Sequence, residues 1–104
     1  MFDLFIPPST RRLVLCPVPI NVRWSPDRLR MLCERELGLT LDPATAVIFH
    51  NRKKDTLVLY TLDESGDRCI TKKLDRGAFL LPVPGEGQTY VVLEAWKVAS
   101  LLRA

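Results

Sequence analysis

The stretch from residue 46 to residue 74 constrains this chain most. Three runs of strand-forming residues, Ala46–Phe49, Thr56–Leu62 and Arg68–Leu74, are separated by short polar connections. Their β-branched and aromatic side chains suit a pleated surface. Connections this short join neighbouring strands as antiparallel hairpins, because a parallel return needs a dozen or more residues. Asn51-Arg52-Lys53-Lys54-Asp55 makes the first turn and Asp63-Glu64-Ser65-Gly66-Asp67 the second. Asp75-Arg76-Gly77 turns the chain again before the apolar Ala78-Phe79-Leu80-Leu81. The expectation is a β-meander.

Helical signals flank that meander. Ser25 suits an N-cap, Pro26 the first turn, Asp27 the positive end of the helix dipole and Gly38 the C-terminus, which predicts a helix over 26–37. Leu29, Leu32, Cys33 and Leu37 form its buried stripe. Ala95, Val98, Ala99 and Leu102 predict a second helix from about 94 to 103. Leu13–Cys16 reads as a short strand, and Pro17-Val18-Pro19 confines it to an edge or an exit. Ile20–Arg23 follows as a loop or bulged strand, and Tyr90–Leu93 reads as a last strand after the surface loop Pro82–Gly87. The fold class expected is α+β: a single domain over 13–104, an antiparallel β-meander packed with one helix near each end, and an N-terminal arm over 1–12.

At 104 residues, 47% hydrophobic and 26% charged with a net charge of +3, the chain has material for one core and no separate catalytic lobe. The longest stretch without charge, Leu13–Val22, is far too short to span a bilayer and holds two prolines. Residues 1–8 have no basic n-region, so a cytoplasmic location is expected. Cys16, Cys33 and Cys69 are an odd number at wide spacing, which fits neither a disulfide framework nor a zinc site, and they are expected reduced and buried.

Enzymatic signals are weak. His50 is the single histidine and cannot form a histidine-rich metal site. The acids around Gly66 lack the alternation and distal glutamate of a calcium loop, and no glycine-rich phosphate cradle occurs. No catalytic residue, metal or cofactor is expected. The basic residues say more: Arg52-Lys53-Lys54 is a compact cationic turn, and Lys72-Lys73 with Arg76 forms a second cluster at a strand end. Brought to one side, they would neutralise several phosphates; Asp55 and Asp75 flank them, so the alternative is a solvated hairpin end. Trp24 and Trp96 read first as helix-packing side chains, and second as anchors for a partner.

Several segments together resemble one family. Phe49-His50-Asn51-Arg52-Lys53-Lys54-Asp55 with its following apolar run, Gly66, then Lys72-Lys73-Leu74-Asp75-Arg76-Gly77-Ala78-Phe79 and Pro82 are similar to the TnpB accessory proteins. These are encoded by the second open reading frame of bacterial insertion sequences of the sixty-six family. Asn21-Val22-Arg23-Trp24 resembles that family's D-M-R-[KR] segment, with Asn21 and Trp24 departing from it and Arg23 retained. The likeness spans about residues 13 to 102. It implies a non-enzymatic accessory protein of transposition that acts beside a DDE-type transposase. Candidate phosphate contacts are Arg23, Asn51, Arg52, Lys53, Lys54, Lys72, Lys73 and Arg76. The expected partners are the transposase of the same element, duplex DNA at the element ends and a second copy of the chain, with no membrane. The alternative is a pure protein-interaction module that docks through Trp96 and the last helix or through Phe79 and its neighbours.

Overall fold

The computed structural model describes residues 10–94. Strands β1 (Arg12–Leu15), β2 (Thr45–His50), β3 (Thr56–Asp63), β4 (Gly66–Lys73) and β5 (Val91–Val92) form one sheet in the order β4-β3-β2-β1-β5. β2, β3 and β4 are the expected antiparallel meander. β5 also runs antiparallel to β1. β1 and β2 differ from the meander pattern: they pair in parallel, Leu13 opposite Ala46 and Leu15 opposite Ile48. The connection from Cys16 to Ala44 carries the helix and is long enough for a parallel crossover. With β2 on one side and β5 on the other, β1 is interior, so its prolines mark an exit rather than an edge.

The helix begins where its signals place it and changes character halfway. Ser25 caps α1 (Pro26–Met31), accepting from the Arg28 N–H at 3.3 Å. From Leu32 to Glu36 the chain widens into a π turn, and Leu37 N–H donates to Leu32 O at 3.1 Å. Gly38, at φ +64°, then reverses the chain, and Leu39 N–H returns to Cys33 O.

Strand alternation sorts the core into two layers. On one face Val14, Cys16, Val47, Phe49, Val58 and Tyr60 pack beneath Leu29, Leu32, Cys33, Leu37 and Leu39, with Phe49 and Tyr60 edge to face at 6.5 Å. On the other, Leu13, Leu15, Ala46, Ile48, Leu57 and Leu59 are covered by Phe79 and Leu93, with Leu74 and Leu81 at the border. β2 is therefore buried along its whole length. Only one face carries α1; an irregular segment closes the other. The second expected helix and Trp96 lie outside the described residues, as do residues 1–9. No helix among the described residues is long and apolar enough to cross a membrane.

Candidate nucleic-acid interface

β2 ends at His50 and β3 starts at Thr56, which leaves the Asn51–Asp55 turn at one end of the sheet. Asn51 builds that turn. Its carbonyl accepts from Lys54 N–H at 3.1 Å, and its N–H donates to Thr56 O at 3.2 Å. The Asn51 Oδ1 accepts from the N–H groups of Asp55 (3.1 Å) and Thr56 (3.2 Å), and Nδ2 donates to Asp55 Oδ1 at 2.6 Å. The Thr56 hydroxyl donates to the same carboxylate oxygen. The Asn51 amide first, then the Thr56 hydroxyl, hold the Asp55 carboxyl below its ordinary range, and the charges of Lys73 and Lys53 add to the effect. Lys54 takes a φ of 61°, a left-handed conformation that costs a residue with a β-carbon about 1–2 kcal/mol.

The second basic cluster is clasped to this turn. Register sets Lys73 opposite Thr56 and Lys72 opposite Leu57. Beyond β4, Leu74 N–H donates to Asp55 O and Phe79 N–H to Lys54 O, both at 2.7 Å. The intervening Asp75–Ala78 arch, turned at Gly77 (φ +76°), carries Arg76 beside the turn. Arg52, Lys53, Lys54, Lys73 and Arg76 are exposed and Lys72 is half-buried. Among the described residues, these six cations share one end of the sheet with Asp55 and Asp75, and Asp55 has an oxygen committed inside the turn. Gathering like charges opposes folding; a polyanion laid across them releases counterions and relieves the repulsion.

Two of the expected site residues have other duties. Asn51 uses its side chain within the turn, with Oδ1 accepting two backbone N–H groups and Nδ2 donating to Asp55. Phe79 is only 2% exposed: its ring fills the core beneath the crossing segment and leaves no face for a partner. Arg23 is exposed on a separate turn, where Asn21 Oδ1 accepts its N–H, and no hydrogen bond or ion pair among the described residues joins it to the clasped clusters. The alternation that marks strands could not show the clasp, because it is made by backbone atoms of an irregular segment. An asparagine at the first position of a turn was the available signal for the role of Asn51.

His50 is buried with a ring nitrogen near each of two carbonyls, Nδ1 2.9 Å from Asn51 O and Nε2 3.4 Å from Pro17 O. Cys16 and Cys33 are buried, and Cys69, expected inside, is exposed because it lies on edge strand β4. Desolvation is the first cause that raises all three thiols, Cys33 to about 12, which keeps them protonated at neutral pH. Asp63 Oδ1 accepts from Ser65 N–H, the Ser65 hydroxyl and Gly66 N–H, the pattern of a hairpin turn. Among the described residues no three metal-ligating side chains gather.

The model of the family described as IS66 Orf2 like protein matches residues 11–104. The chain belongs to this family. It is thereby an accessory protein of IS66 insertion sequences, as the likeness of the Asn51–Asp55 and Lys72–Pro82 segments implies. No curated protein and no solved structure matches it.

Proposed function

We propose that this IS66 Orf2-like protein is a non-enzymatic, cytoplasmic factor that assists its element's transposase by binding the phosphate backbone of duplex DNA at the element ends. One observation carries the reading: two basic clusters, distant in sequence, are joined by the Phe79–Lys54 and Leu74–Asp55 backbone hydrogen bonds into a single cationic end. The strained Lys54 supports it, since a charge is kept where glycine would rest without cost. Arg52, Lys53, Lys54, Lys73 and Arg76 would meet phosphates, with Lys72 beside them. Their role is positioning on the duplex, because cations that neutralise phosphates fix register and carry no direct sequence information.

Fluorescence anisotropy with a labelled duplex carrying the terminal inverted repeat, and with a scrambled duplex, tests this across a salt series. The expected result is binding to both, with log affinity falling against log salt by about 0.9 for each phosphate contacted. Reversing Arg52, Lys53 and Lys54 to glutamate should weaken both duplexes alike by about a hundredfold, on the scale of losing several phosphate contacts. Affinity unchanged by that triple reversal removes the turn from the interface.

A further inference from the structure

A second surface lies on the helical face of the sheet, and its chemistry differs. Trp24, half-buried just before the N-cap, is covered by the Arg28 guanidinium, whose central carbon lies 4.0 Å from the ring centroid. Beside this pair is a groove of about 230 Å³ lined by Trp24, Arg28, Met31, Leu32, Arg35 and Glu36. That is below the roughly 300–1,000 Å³ of small-molecule sites and of the size that receives individual side chains. Met31 is 43% exposed on it. Three of the lining residues come from the π turn, where the extra residue widens the helix; such turns are frequent at functional sites. Tryptophan, arginine and methionine are the residues enriched at the centres of protein interfaces.

Charge decides the occupant. Arg30 has two carboxylate partners, Asp27 at 2.6 Å and Asp67 at 3.4 Å, whereas Arg28 and Arg35 have no carboxylate within ion-pair distance among the described residues. Two unpaired guanidinium groups therefore flank an apolar floor. Glu36 lines the same groove. A nucleic-acid backbone offers only anionic acceptors and would set phosphates against Glu36. A peptide can place an acid against Arg28 or Arg35, an apolar side chain on Met31 and Leu32, and a donor against Glu36.

We infer that this groove docks an acidic segment of the transposase through an apolar anchor residue. The partner's identity rests on the functional reading above; the surface and its chemistry rest on the groove. Held there, the transposase and the DNA occupy separate surfaces of one small protein.

The test is capture of purified, nuclease-treated transposase by the full-length protein, beside the duplex titration. Met31→Glu and Arg35→Glu, both at exposed positions, are expected to weaken transposase binding at least tenfold and leave duplex affinity within twofold. The Arg52, Lys53 and Lys54 reversal is expected to do the opposite. Across overlapping transposase peptides, those captured should be acidic with an aliphatic or aromatic residue. Transposase binding that survives both groove substitutions overturns the inference, as does capture of basic peptides or no capture by the wild-type protein. In each of those cases the salt-dependent titration still judges the DNA reading separately.

Discussion

The cationic end of the sheet and the groove beside Trp24 both present arginines, yet they are built differently. At the sheet end the exposed cations stand on turns held by backbone hydrogen bonds. Along the groove the guanidinium groups lie against an indole and a methionine. A charge on a rigid polar turn attracts any polyanion, whereas a charge over an apolar floor also selects for shape. Position in the fold distinguishes the two surfaces more than the count of basic residues does, since net charge is only +3.

Phe79 offers the largest perturbation with which to break that comparison. Replacing it with alanine removes a fully buried ring and should cost about 3–5 kcal/mol in chemical denaturation. Because that ring anchors the segment whose N–H clasps Lys54 O, duplex affinity should fall with no charge altered. Undiminished affinity would show that the two basic clusters act independently. Asn51→Ala comes next: it deletes three side-chain hydrogen bonds and should destabilise the protein by about 2–3 kcal/mol, with duplex binding weakened in parallel. Transposase capture should be indifferent to this change once the protein is folded.

Lys54→Gly is a finer probe. It relieves the left-handed strain and should stabilise the fold by about 0.5–1 kcal/mol while lowering duplex affinity several-fold. Opposite signs in the two measurements would show that the lysine is kept for its charge. The smallest effect is on acid stability. Asp55 is held below its ordinary range, so its contribution is complete above the unfolded aspartate value of about 3.9 and is lost as pH falls through the lower folded value. Urea midpoints at pH 7 and pH 3 should therefore differ less in Asp55→Asn than in the wild type.

The meander and the start of the helix were legible because Ala46–Phe49 and Thr56–Leu62 are strand-forming runs separated by a short polar turn, and because Ser25, Pro26 and Asp27 are local signals. The parallel partnership of β1 with β2 was hidden, since alternation reports which side chains share a face and says nothing of which strand lies alongside. The long connection after Cys16 was the one hint of it. Phe79 was misleading for a related reason: an aromatic in a proline-rich, aperiodic segment has the pattern of an exposed anchor, although that segment closes one face of the core. The groove required the π turn, which no spacing of Leu32 and Leu37 distinguishes from an ordinary helical end.

The clasp between Lys54 and Phe79 also bears on how the chain assembles during synthesis. All its hydrogen-bonded partners fall between Asn51 and Phe79, so the cationic end can close through short loops as soon as that stretch has left the ribosome. Closure of the β1–β5 edge needs Val91 to reach Leu15, a meeting of distant parts of the chain that is slower to form.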